Sequence, residues 1–368
     1  MSDGAGGASI HVVRFAPAKL NLTLAVVGRR EDGFHDLHSI MVPLSLGDAL
    51  TVATRPAGAA RDSLRVTGLT LSSAPENLVI RAISAARAAV ARTWPGAPAA
   101  PPPLAARLAK RIPVAAGLGG GSSDAAAAID ACLAAWAAGL APAEKADLAA
   151  SLGSDVPFFL AGGAALITGR GEFVEPLPDI EGEAPGVLLV TPRVPVATAA
   201  VFAAYAGGAR RGPASPALAL ETSERLARAM RTGLAAEDLL RSAAELARAN
   251  DLMIAAASVA PGLGAFVAAL EKLVGRPVCQ SGSGPTLWAL YPTLAEARKA
   301  VRSVRLAAVN GTLPLVGSGE PFVAATTIAG RSTPPAVSLP DGTTGTIRPR
   351  TVHNGFDAAE HGPEEPAK

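Results

Sequence analysis

Cysteine, aromatic residues and an excess of either charge are what this sequence has least of, and each shortage narrows what it can be. Two cysteines, Cys132 and Cys279, stand far apart and outside any Cys-x-x-Cys pair. That pattern argues against a disulfide framework and against a zinc site. Only 4% of the 368 residues are aromatic although 49% are apolar, so the cores must be built from Ala, Val and Leu. The 33 basic and 31 acidic residues nearly cancel, to a formal charge of +2. With no dominant basic tract, nucleic acid is not an expected partner. The N-terminus "MSDGAGGASIHVVRF" lacks the charged-then-apolar layout of a signal peptide. Residues 252–270 are uncharged, but Pro261, Gly262 and Gly264 interrupt them, so they read as a buried helix and turn rather than a membrane span. The expectation is a soluble cytoplasmic protein with no membrane contact and an open oligomeric state.

What is present suggests two domains, because 368 residues is long for one compact unit. Alternating, β-rich segments flank Pro17, and "DALTVATR" and "DSLRVTGL" read as further strands. Helical spacing runs through "ENLVIRAISAARAAVARTW", which the breaker run 95–103 ends. The acidic, proline-bearing stretch 175–186 is a candidate boundary. Beyond it come the strand "VLLVTP", helices at 218–247 and 250–259, a strand–turn–strand "PVCQSGSGPTLWALY", a helix at "LAEARKAVRSVR" and a closing strand "PFVAATTI". From about Gly330 the chain turns to Pro, Gly, Thr and charge, and the tail 331–368 is expected to be disordered.

Residues 113–124, "PVAAGLGGGSSD", hold the strongest local signal. Glycine supplies positive φ wherever a turn demands it, so a plain turn is one reading. The stretch runs directly into the helix "SSDAAAAIDACLAAWAAGL", with Ser122 as expected N-cap and Gly139 as expected C-cap. Free N–H groups and the dipole at a helix start favour an anion. Phosphate binding is therefore the better reading. A Walker A pattern is absent, and the Rossmann fingerprint fails because Ser122 stands where a glycine is needed.

"PVAAGLGGGSSDAAAA" resembles the phosphate-binding motif of the GHMP kinases. "PAKLNLTL" (17–24), "GRREDGFHDLHSI" (28–40), "ENLVIRA" (76–82), "LGSDVPFF" (152–159) and "SGSGPT" (281–286) occur in that family's order, over about residues 10 to 330. The resemblance implies an α+β fold in two domains. Residues 1–175 would form a ribosomal-protein-S5-like N-terminal domain bearing the loop, and 176–330 a ferredoxin-like C-terminal domain. It also implies ATP and Mg2+, with γ-phosphate transfer to the 2-hydroxyl of an erythritol moiety carried on a cytidine diphosphate, in non-mevalonate isoprenoid synthesis.

Site residues follow from the same resemblance. Asp155 matches the catalytic aspartate, although a turn or N-cap aspartate before Pro157 is the plain alternative. Lys19 matches the cation beside it, against an edge lysine. ATP would lie on Pro113, Gly117, Leu118, Gly119, Gly120, Gly121, Ser122 and Ser123, with Asn77 and Lys110 near the adenine. The latter pair reads equally well as a cap and a surface lysine. Ser123 is the suggested metal ligand. Substrate would meet Asn21, Thr198, Ser283 and Gly284, with its base stacked on Phe34, bonded by His35 and covered by Phe202. Phe34 stands where the family usually has Tyr, so a phenol hydrogen bond is lost while stacking is kept. Two alternatives stay open: a GHMP kinase acting on a mevalonate, homoserine or sugar, and an inactive nucleotide-binding member.

Overall fold

The computed structural model describes residues 11–55, 59–69, 77–93, 101–209, 215–331, 337–338 and 344–345. Its chain order is β1 (His11–Asn21), β2 (Ala25–Arg29), β3 (His35–Thr54), β4 (Ser63–Gly68), α1 (Leu78–Thr93), β5 (Leu104–Lys110), α2 (Gly120–Ala135), α3 (Pro142–Leu152), α4 (Val156–Ala161), β6 (Ala165–Gly169) and β7 (Phe173–Pro176). There follow β8 (Gly186–Thr191), α5 (Thr198–Ala206), α6 (Ser215–Arg231), α7 (Ala236–Arg241), α8 (Ala243–Leu246), α9 (Met253–Val259), α10 (Leu263–Val274), β9 (Cys279–Gln280), β10 (Leu287–Tyr291), α11 (Leu294–Val309) and β11 (Phe322–Thr327). No helix among the described residues is long and apolar enough to cross a membrane.

Two sheets organise the molecule. The first has seven strands in the order β4-β5-β3-β6-β7, with β1 and β2 also paired to β3. Strand β3 has 20 residues, about 65 Å at the usual rise per residue. It is long enough to take β1 and β2 along one edge and β5 and β6 along the other. The second sheet is antiparallel, in the order β11-β8-β10-β9, and every residue of its inner strand β8 is buried. The chain passes from the first sheet to the second between Pro176 and Gly186.

The aromatic shortage is met by close approach. Ala125, Ala126, Ala127 and Ala128 are all buried in α2, which packs against α1, α4, β1 and β3. Each buried methylene-sized group contributes about 0.8 kcal/mol, so the core gains from many small contacts. Trp288, Phe158 and Phe266 supply its few large anchors.

Several elements differ from the sequence reading. Strand β1 runs straight through Pro17, the missing N–H being absorbed by a register shift between Pro17 and Lys19. Helix α2 begins at Gly120, because Gly119 takes the cap position at φ 69°, so Ser122 lies inside the first turn. It ends on Trp136, three residues before Gly139. The helical stretch 218–247 divides into α6, α7 and α8. The tail beyond Arg331, apart from residues 337–338 and 344–345, and most of the breaker run lie outside the described residues.

Candidate active site

Lys19, Asn21, Asp155, the glycine loop, Phe34, His35, Thr198, Phe202 and Ser283 all line one cavity of about 1120 Å3. The loop arrives from β5 and enters α2, a 16-residue helix with no side-chain cap. The helix gives no partner to the N–H groups of Gly120, Gly121 and Ser122. Two glycines are obligatory here. A Cβ on Gly117 (φ 75°) would lie 2.4 Å from the Ser281 carbonyl oxygen, and one on Gly119 (φ 69°) 2.8 Å from the Phe159 ring.

Beside the loop stands a buried cation. Lys19 comes from β1, where its backbone N–H donates to the Leu118 carbonyl at 3.0 Å. Its Nζ donates to Asn21 Oδ1 at 2.5 Å and lies 3.8 Å from Asp155 Oδ2. Burial pulls the ammonium below the ordinary lysine range, and the attraction of Asp155 only partly opposes this. Asp155 occupies the N-cap position of α4, yet its carboxylate makes no cap hydrogen bond. Pro157 is the second helical residue and has no N–H to offer. The carboxylate instead faces Lys19 and lines the cavity, with its side chain 26% exposed.

At the far end of the cavity the rings pack against one another and against Arg170. His35 stacks on Phe202 with centroids 5.2 Å apart and meets Tyr205 edge-on. Phe34 is half exposed, with the Arg170 guanidinium 4.8 Å from its ring centroid. Arg170 also lies 3.7 Å from Asp32, on the loop that carries Phe34. Thr198 and Ser283 share a hydroxyl–hydroxyl bond of 2.9 Å.

A model of the GHMP kinases N-terminal domain matches residues 77–163, which span the loop and Asp155. The 4-diphosphocytidyl-2-C-methyl-D-erythritol kinase of Paramagnetospirillum magneticum is 40% identical over 293 residues, covering 77% of this chain and 90% of that protein. The chain belongs to the 4-diphosphocytidyl-2-C-methyl-D-erythritol kinase family of GHMP kinases. The like-named protein of Deinococcus radiodurans is also 40% identical, over 79% of this chain and 87% of its own. A crystal structure of a 4-(cytidine 5'-diphospho)-2C-methyl-D-erythritol kinase superposes with a TM-score of 0.61 at 30% identity, over 86% of this chain and 99% of that one. A mevalonate kinase from L. major in complex with R-mevalonate superposes with a TM-score of 0.64 at 13% identity, over 88% and 98% of the two chains. That likeness is one of fold.

Within this GHMP kinase some residues stand where the motif suggested and others do not. Asn77 lines the cavity while its Oδ1 caps α1 by accepting from the Val79 N–H at 2.9 Å. Lys110 also reaches the wall, but its ammonium is held by the buried Asp48 and Asp124. It is neither a surface lysine nor a free cation for ATP. Leu118 and Ser123 are each 1% exposed and turn into the core. Ser123 Oγ has no partner among the described residues, but it stands off the cavity wall. Gly284 backs onto Gly117 instead of facing the cavity.

Ser281 is a residue joining the turn to the loop that the sequence did not single out. Its Oγ donates to the Gly117 carbonyl at 2.9 Å and accepts from the Asn21 N–H at 3.4 Å. Together with the Thr286 N–H on the Ala116 carbonyl, it fastens the second sheet's glycine turn to the phosphate loop. The available signal was its place at the head of "SGSGPT".

Proposed function

We propose that this GHMP kinase transfers the γ-phosphate of ATP to the 2-hydroxyl of 4-diphosphocytidyl-2-C-methyl-D-erythritol, a step in non-mevalonate isoprenoid synthesis. The observation that carries the chemistry is the Lys19–Asp155 pair, at 3.8 Å, in the same cavity as an open helix N-terminus and its glycine loop. The loop's N–H groups would take the phosphates. Asp155 would accept or orient the hydroxyl proton, which requires only hydrogen-bond reach. Lys19 would keep that carboxylate ionised and offset charge gathering on the transferred group, an effect enlarged by burial. Asn21 fixes the ammonium, and its own Nδ2 donates to Ser39 Oγ at 2.8 Å.

The recognition end supports a nucleobase. His35, Phe202 and Phe34 offer ring faces, and Thr198 with Ser283 offer hydroxyls. We also propose that residues 1–175 and 176–330 act as two domains meeting at this cavity. Mg2+ would come with ATP, with phosphate and water supplying most of its ligands. The loop does not fit a protein-built metal site. Ser123 is its one candidate ligand and lies off the cavity wall, and the described residues contain no group of three His, Cys, Asp or Glu able to hold a metal ion.

The test is a competition assay following γ-labelled phosphate from ATP. Label is expected on the cytidine diphosphate alcohol, and Asp155→Asn should lower kcat by several orders of magnitude with a modest change in KM. Faster phosphorylation of a mevalonate or homoserine would overturn the assignment of substrate. Near-normal kcat in Asp155→Asn would remove that residue from the mechanism.

A further inference from the structure

Behind the phosphate loop lies a buried ionic cluster that the reaction itself does not use. Lys110 ends β5, Asp48 projects from β3, and Asp124 sits early in α2. None is more than 5% exposed. Lys110 Nζ donates to Asp48 Oδ2 and, at 2.7 Å, to Asp124 Oδ2. The second Asp48 oxygen accepts from the N–H of Arg111 at 2.5 Å and of Ile112 at 2.9 Å. Burial pulls the ammonium down, but the two carboxylates outweigh it and hold Lys110 above its ordinary range.

Burying three ionisable groups together, with burial pushing the Asp124 carboxyl up to about 8, is a costly way to join a strand to a helix, since apolar residues of similar volume often do so as well or better. What the cluster does that apolar packing cannot is hold particular backbone groups by directional bonds. Asp48 grips Arg111 and Ile112, where the loop begins. Through Lys110 it also grips Asp124, just after the loop becomes helix. The ammonium lies directly beneath the first helical residue, for a Cβ on Gly120 would be 3.3 Å from Lys110 Nζ.

We propose that the Asp48–Lys110–Asp124 cluster is a positioning device for the phosphate loop, with Asp48 as its hub. It ties both ends of segment 111–123 to β3, so that the N–H groups of Gly120, Gly121 and Ser122 hold a fixed geometry toward the nucleotide phosphates. A displacement of about 1 Å at such a site costs on the order of a hundredfold in rate, which gives the costly cluster a purpose. The inference rests on the reading of this loop as the ATP phosphate site.

Asp48→Asn keeps an acceptor for the two amides while removing the charge that faces Lys110. It is expected to raise KM and the calorimetric Kd for ATP at least tenfold, with KM for the cytidine diphosphate alcohol within twofold of the unaltered protein. Asp124→Asn leaves the Lys110–Asp48 bond in place and should raise the ATP constants three- to tenfold, again without moving the alcohol KM. If Asp48→Asn does not fold, Asp124→Asn carries the test by itself. ATP constants within twofold in the folded variants, or parallel increases for both substrates, would overturn the positioning role and leave a merely structural cluster. Failure of the unaltered protein to bind ATP would instead overturn the phosphate-loop reading.

Discussion

Gly117→Ala is the substitution that most directly tests how the loop is held. At φ 75° an L-residue pays a conformational cost of about 1–2 kcal/mol. The added Cβ would also lie 2.4 Å from the Ser281 carbonyl oxygen and 3.0 Å from that of Gly284, where 3.4 Å is the start of ordinary contact. Loop and glycine turn must therefore separate by about 1 Å, taking with them the 2.9 Å bond from Ser281 Oγ to the Gly117 carbonyl. That bond is worth about 1 kcal/mol. The combined loss is roughly 2–3 kcal/mol, enough to lower Tm by about 3–4 °C in a protein of this size. The same 1 Å should cost on the order of a hundredfold in kcat/KM for ATP. Steady-state kinetics at varied ATP, with a thermal melt of the same preparation, measure both. Gly139→Ala is the control, since nothing lies within 4 Å of its Cβ and its φ is not positive. The reasoning fails if Gly117→Ala keeps kcat/KM for ATP within threefold.

Two further outcomes follow from the site. Lys19 has its ammonium lowered by burial, so activity that needs this charge is complete below the lowered value and lost as pH rises through it. The kcat/KM profile should fall on the alkaline side earlier than an ordinary lysine allows, and Lys19→Arg should move that fall upward; an unmoved limb in an active Lys19→Arg would assign it to another group. Arg170→Gln removes the cation over Phe34, worth about 0.5–1 kcal/mol at an exposed site. KM for the cytidine diphosphate alcohol should rise about two- to fivefold while KM for ATP stays constant, and equal shifts in both would show that Arg170 does not act through the base end.

The motif residues were legible where chemistry is local and obscure where it depends on what packs across the chain. "PVAAGLGGGSSD" announces an anion site because glycines, hydroxyls and a helix start lie within 12 residues. The helix boundary was missed by three residues because Gly119, and not Ser122, takes the cap in a left-handed conformation. Lys110 could be read as a surface lysine or an ATP contact, since its partner Asp48 is 62 residues away. The contacts of Phe34 and Phe202 depend on packing across the chain in the same way. Each ring is in the cavity, where His35 stacks on Phe202 and Arg170 lies over Phe34. Ser281 and Ser283 cannot be distinguished from "SGSGPT" alone, because only the docking of the turn sends one hydroxyl to Gly117 and the other to Thr198.

That docking also explains why strand β1, and not a loop, supplies Lys19. The Lys19 N–H binds the Leu118 carbonyl, its Cγ lies 3.0 Å from where a Gly119 Cβ would stand, and its Nζ spans Asn21 and Asp155. Two residues on, the Asn21 N–H reaches Ser281, which returns a bond to Gly117. One strand face thus touches the phosphate loop, the candidate base and the turn from the second sheet, using only residues i and i+2. The register shift at Pro17/Lys19 falls at the start of this face. A bulge of this kind re-aims side chains, and here it leaves Lys19 pointing into the cavity while β1 stays paired to β3 on both sides of the shift. Lys19 is therefore held between the loop and Asp155 by the paired backbone of the larger sheet. The second sheet reaches the phosphate loop through Ser281 and Thr286, and β1 through the Asn21 N–H on Ser281 Oγ.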